Sequence, residues 1–166
     1  MISRESITIN RRTKAGARRF GLERDKKIAA LMKQGGPRRM RASALARWCI
    51  EEMFSVDDAD DEWADIVDRV VRSAVAHLDR VKPSGKWGDI VNEAQFLLVS
   101  SKAIKLVAER YLFLMDYVTE NDERVCERCH NAERGGPYEP GGAPEPPLHL
   151  HCRCVLSPTL LRKKYR

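Results

Sequence analysis

The sequence predicts a mainly α-helical bundle closed by a small C-terminal module of strand and loop, and three observations predict it. Apolar residues recur at helical spacing along most of residues 22–107. Glycine and proline cluster at residues 35–37, 83–88 and 135–147 and cut the helical pattern there. Four of the five cysteines and three of the four histidines fall within "VCERCHNAERGGPYEPGGAPEPPLHLHCRC", residues 125–154. On this reading residues 1–41 are a basic N-terminal arm with a short helix, and 42–118 a helical core ending in a strand. Residues 119–158 form the cysteine module and 159–166 a basic tail.

In chain order, "LERDKKIAALMKQGGP" places Leu22, Ile28, Leu31 and Met32 in a weak helical pattern stopped by Gly35, Gly36 and Pro37. Ser43 is the expected cap of a second helix to about Phe54, with Leu45, Cys49 and Met53 on one face and Cys49 as a buried thiol. Acidic residues crowd the start of "DDADDEWADIVDRVVRSAVAHLDRV", where the helix dipole favours them. Trp63, Ile66, Val70, Ala74, Leu78 and Val81 then form one stripe, with His77 beside it as a structural residue. After a break at "KPSGKWGD", a long helix runs from about Asp89, its apolar surface made by Ile90, Ala94, Leu97, Leu98, Ile104, Leu106 and Val107. Tyr111–Val118 reads as a buried strand, and "GGPYEPGGAPEPP" as a loop that returns the chain.

Charge is unevenly spread. Residues 1–47 hold 14 Lys or Arg against 3 acids, and residues 48–70 hold 9 acids against Arg69 alone, so the net +6 conceals a strongly basic leader. Such a leader suits phosphate backbones or an acidic protein face, through Arg11, Arg12, Lys14, Arg18, Arg19, Arg38, Arg39 and Arg41. The acidic run Asp57–Glu62 is an intramolecular rival for it. Its one early aromatic, Phe20, does not make a base-stacking platform. The longest apolar run, "YLFLM", is far short of a membrane span, and the N-terminus lacks a signal-peptide core, so a reducing cytoplasm is the expected place of synthesis.

In that compartment clustered cysteines mark metal binding or catalysis more often than disulfides. Cys126 and Cys129 form a C-x2-C pair, and His149 and Cys152 an H-x2-C pair, spacings at which two ligands converge on one ion. Four nitrogen or sulfur ligands suit a structural Zn²⁺, making this a zinc-stabilised module. Cys154 either replaces His149 to give a four-cysteine site or stays outside it, and a turn at "HLHC" is required to bring His149 to Cys152. His130 and His151 are reserves. Thiolates that fill the coordination sphere leave no position for a catalytic water, and no phosphate loop, nucleophile elbow or dinucleotide fingerprint is present, so the chain is not expected to be an enzyme.

Two segments carry a resemblance. "YVTENDERVCERC", Tyr117–Cys129, followed across the Gly/Pro loop by "PPLHLHCRC", Pro146–Cys154, resembles the C-terminal signature of tailed-phage minor head proteins related to the F protein of phage Mu, the phage head morphogenesis family. The preceding helix is similar too, with Glu93 at the family's acidic position and Asn92 where a Thr is usual; the glycine that usually ends this helix is missing from "AERYLFLMD". The resemblance covers about residues 88–158. It implies a non-enzymatic virion component made in the host cytoplasm, present in several copies with portal or major capsid protein, and acting in head assembly or genome handling. The basic arm then reaches packaged DNA or an acidic face of a partner, and Asp122, Glu123 and Arg124 are candidates to pair with Arg153 around the ion. The rival readings are a zinc-containing DNA-binding or regulatory module and a neck connector between portal and tail.

Overall fold

A computed structural model describes residues 1–57, 59–81 and 88–160. The described chain is mainly helical, with five α-helices and two small antiparallel sheets. The break at "KPSGKWGD" lies largely outside the described residues, as do Asp58 of the acidic run and most of the basic tail.

Helix α1 spans Lys14–Gln34 and starts where the Thr13 hydroxyl accepts from the Gly16 amide at 3.0 Å. It ends at Gly35 and Gly36, whose φ of 73° and 86° only glycine adopts without strain. It is thus much longer than the short helix expected, and it is no detached arm: Ala17, Phe20, Ile28 and Leu31 enter the core. The missed signal lies in the first two turns, where Ala17 and Phe20 recur three residues apart beside the exposed Lys14 and Arg19. Pro37 precedes α2, Arg38–Met53, because a proline is tolerated at a helix entrance but not inside. Ser43 is therefore not the cap; its hydroxyl donates back to the Arg39 carbonyl at 2.9 Å within the helix. Leu45, Cys49 and Met53 share the buried face as the four-residue spacing requires.

Helix α3, Asp61–Val75, is capped by the Asp60 carboxylate, which accepts from the Glu62 and Trp63 amides at 3.0 and 3.3 Å. Its stripe buries Ile66, Val70 and Ala74, and a single 3-10 turn at Leu78–Arg80 carries Leu78 into the same core. Helix α4, Gly88–Arg110, is the central element. It packs on α1, α2, α3 and the second sheet, and is buried around most of its circumference, with Ser100, Ser101 and Lys105 inside.

Three-residue strands β1, Ile7–Ile9, and β2, Phe54–Val56, pair in register Ile7↔Val56 and were not foreseen. Strand β3, Leu114–Val118, falls within the expected strand and pairs with β4, Val155–Thr159, from Leu114↔Thr159 to Val118↔Val155. Between them lies α5, Glu127–Gly135, a helix where only a knuckle and loop were expected. Thus the core, cysteine and tail segments interleave: one sheet takes a strand from residues 42–118 and its partner from residues 155–159.

Candidate metal centre

The antiparallel β3–β4 pair brings the two cysteine motifs together from opposite ends of the intervening segment. Cys126 is the N-cap residue of α5 and Cys129 lies in its first turn. On the other side the amide of Cys152 donates to the His149 carbonyl at 3.2 Å, closing the turn that the H-x2-C spacing demands. His151, at φ 62°, takes the left-handed place in that turn where glycine or asparagine is more usual.

The result is two overlapping triads of potential ligands, Cys126–Cys129–His149 and Cys129–Cys152–Cys154, each with its ligand atoms within 4.8 Å of one another. His149 Nε2 lies 3.2 Å from Cys126 Sγ and 3.3 Å from Cys129 Sγ, and Cys129 Sγ lies 3.8 Å from Cys152 Sγ. Zinc–sulfur bonds of about 2.3 Å and zinc–nitrogen bonds of about 2.0 Å in a tetrahedron put two sulfurs about 3.8 Å apart and a sulfur and nitrogen about 3.5 Å apart. The donor set and its spacing fit such an ion. All five residues named from the sequence gather here, and Cys129 belongs to both triads. Cys154 is buried against the Cys129–Cys152 side, while His149 reaches the other side from an exposed turn.

Further contacts orient these candidate ligands. His149 Nδ1 is 2.7 Å from the Leu150 carbonyl; as the donor there, it leaves Nε2 free to face the sulfurs. The Tyr117 hydroxyl, on β3, sits 3.5 Å from the sulfurs of both Cys129 and Cys152. Sequence reasoning did not single Tyr117 out, because nothing in its spacing to the cysteines distinguishes it from a core aromatic. Arg153 donates to Asp122 at 2.7 Å, and Asp122 also accepts from the Arg124 amide at 3.0 Å, so this pair joins the two halves. His130 and His151 belong to neither triad.

The thiols are polarised against one another. A hydrogen bond from Cys154 holds Cys152 down at about 4, and Tyr117 adds to this, so Cys152 is a thiolate at neutral pH. That same bond, with burial, pushes Cys154 up. Burial pushes Cys129 up to about 11, whereas the backbone amide of Cys129 lowers Cys126. For His149 burial opposes the charge, yet the Leu150 carbonyl and the neighbouring cysteines outweigh it and raise the imidazole. Cys49, raised to about 12 by complete burial among helices, is a packing thiol far from this chemistry.

Most of the basic residues expected to meet a partner have partners within the chain. Arg11 pairs with Glu23 at 2.9 Å and Glu52 at 3.3 Å, and Arg19 with Glu23 at 3.6 Å. Arg38 reaches Gln95 at 2.7 Å and Asp79 at 2.8 Å; Arg39 reaches Asp79 at 3.2 Å. Arg41 donates to the Leu31 carbonyl and lies over the Phe96 ring. Lys14 stands 3.9 Å from Glu133, Arg18 donates to the Thr119 carbonyl at 2.9 Å, and Arg12 is exposed. Against the acidic run the described contact is from the Met1 amine to Glu62, at 3.3 Å. Exposed pairs of this kind are individually weak, so the surplus positive charge of α1 and α2 still projects a field into solvent.

Among the described residues no helix is long and apolar enough to cross a membrane. No family model, curated protein or solved structure matches the chain.

Proposed function

We propose that this chain is a structural minor head protein of a tailed phage, built around a zinc ion held by four of Cys126, Cys129, His149, Cys152 and Cys154. It associates with portal or major capsid protein in the virion and acts in head assembly or genome handling, in several copies; a place in the neck is a variant of the same role. The observation that carries the reading is the meeting of the two motif halves: segments that resemble the head morphogenesis signature, 23 residues apart at Cys129 and Cys152, come to 3.8 Å across one cluster. A site filled by thiolates and imidazole is closed to water, which suits a structural rather than a catalytic ion. The ion's contribution is cohesion, since its binding energy becomes folding energy for a loop-rich segment that buries little apolar surface by itself. The reading assigns no reaction to the chain. The basic surface of α1 and α2 supplies the attraction to packaged DNA or to an acidic face of the portal.

The test is co-expression with portal and major capsid protein, followed by sedimentation of rings and heads with metal quantified in the same fractions. The expected result is the chain in the assembled fraction with one zinc per copy. A chain that stays at the top of the gradient while portal rings assemble, and instead binds one duplex sequence tightly at physiological salt, overturns the head-protein reading.

A further inference from the structure

The N-terminal half of α1 and the residues leading into it are tied to the cysteine module at four points. Ser157 Oγ donates to the Arg11 carbonyl at 3.2 Å, Lys14 pairs with Glu133 of α5 at 3.9 Å, and Arg18 donates to the Thr119 carbonyl at 2.9 Å. Arg24 donates to the carbonyls of Cys154 at 3.1 Å and Arg153 at 3.3 Å. Glu133 itself accepts from the Thr119 amide and hydroxyl at 3.2 and 2.8 Å, so the Lys14 and Arg18 ties converge on one spot.

Arg24 differs from the other three in its burial. Its side chain is 1% exposed, with Asp25 as its one carboxylate partner, and the rest of its guanidinium is satisfied by the backbone of "CRC". A buried guanidinium is tolerated only while acceptors meet it, because the alternative is a desolvated, unpaired charge. The two carbonyls that meet it belong to the segment that carries Cys152 and Cys154, whose sulfurs face Cys129. Whatever holds those sulfurs in place also holds the acceptors of Arg24.

We infer that the metal site governs the docking of α1, with Arg24 as the positioning residue that transmits it; this rests on the metal reading above. With the ion bound, the Cys152–Cys154 segment is fixed and Arg24 pins α1 against β4. With the ion withdrawn, the segment relaxes, Arg24 loses its carbonyls, and the N-terminal half of α1, residues 14–25, loosens against the burial of Ala17 and Phe20, releasing Lys14 from Glu133 and Arg18 from the Thr119 carbonyl. The C-terminal half, which makes none of these ties and has Ile28 and Leu31 in the core, stays. The pairing of these two cations is then metal-gated.

Hydrogen exchange on the intact chain, before and after chelation and with zinc measured on the same sample, tests this. Chelation is expected to speed exchange about tenfold or more in residues 14–25 as well as in 119–154, while α4 keeps its protection. Arg24→Met keeps the apolar stem without the charge, so its α1 is expected to stay protected after chelation. The wild-type comparison decides the matter even if that variant fails to fold. Stoichiometric zinc with an unresponsive α1 overturns the coupling and leaves the metal reading standing, as does an Arg24→Met protein that responds like wild type. Loss of α4 protection together with α1 also overturns the coupling, because the ion would then hold the whole fold. A folded chain that carries no zinc overturns both.

Discussion

Cys129 Sγ and Cys152 Sγ stand 3.8 Å apart, the separation of two thiolates on one tetrahedral zinc ion and too long for a disulfide. Because Cys129 is common to both triads, it has no substitute among the other four candidates. Cys129→Ser is expected to abolish stoichiometric zinc, whereas Cys154→Ser or His149→Ala removes one peripheral donor and leaves a weakened site. Cys49→Ser, deep in the helical core, is expected to keep its zinc. Metal content of the purified variants by mass spectrometry reads the outcome, and zinc retained at wild-type level in Cys129→Ser would refute the shared-ligand assignment.

Tyr117 carries the next expectation. Its hydroxyl lies within 3.5 Å of two sulfurs, and a donor there delocalises thiolate charge and fixes the sulfur positions. Tyr117→Phe keeps the buried ring, so the sheet should persist. Zinc affinity, measured by competition with a chromophoric chelator, is expected to fall about 10–100-fold. An unchanged affinity would make Tyr117 a packing residue only.

Zinc affinity should also rise with pH. Cys152, held at about 4, is already ionised at neutral pH, but Cys129, pushed up to about 11, and Cys154, also raised, are still protonated. Binding must displace the protons of whichever raised thiols become ligands, and each displaced proton adds one logarithmic unit of affinity per pH unit while its thiol remains protonated. Between about pH 6 and pH 8 the slope is expected to be at least about one, from Cys129, and steeper where Cys154 or the raised His149 also becomes a ligand, increasing affinity toward high pH. A flat profile would show that the sulfurs are not the ligands.

How much of this was legible in the sequence depended on whether the signal was local. The acidic start of α3, the stripe from Ile66 to Leu78, and the paired spacings of Cys126, Cys129, His149 and Cys152 are short-range patterns, and the structure follows them. Helix α5 was not legible: "ERCHNAERG" has almost no apolar face, and its helicity comes from its place under β3. Strands β1 and β2 are three residues each, too short for alternation to stand out. Arg24 was one arginine among many in a basic leader. Its role exists only because residues 153 and 154 fold back onto α1, a pairing 130 positions apart that no window of sequence contains.

The end of α4 supplies a stability prediction. Phe113 donates to the Ala108 carbonyl at 2.9 Å and Leu112 to Glu109 at 3.3 Å, the paired bonds of a helix stop that needs a left-handed residue, and Leu112 fills it at φ 57°. The stop falls within "AERYLFLMD", a segment that contains no glycine. A leucine there pays a steric cost, and its side chain, 59% exposed, recovers little by packing. Leu112→Gly is expected to stabilise the chain by about 1 kcal/mol, net of the extra freedom glycine gives the unfolded state. Thermal unfolding should then move up by roughly 2–4 °C. A lower midpoint would mean that the Leu112 side chain makes contacts worth more than the strain.

Gly21 tests the close approach of α1 to the second sheet. A Cβ built there would stand 2.7 Å from Val155 Cγ2, a side chain that is itself buried at the start of β4. Two effects oppose each other in Gly21→Ala: helix propensity favours alanine by about 1 kcal/mol, while overpacking a buried contact costs about 1–3 kcal/mol. The clash should win, because Val155 is paired to Val118 across the sheet and cannot retreat alone. Net destabilisation is therefore expected in denaturant unfolding. Val155→Ala removes the opposing methyls, so in the double variant the Gly21→Ala change should turn neutral or favourable, with a clear non-additive coupling. Additive effects would show that α1 and β4 do not touch at this point.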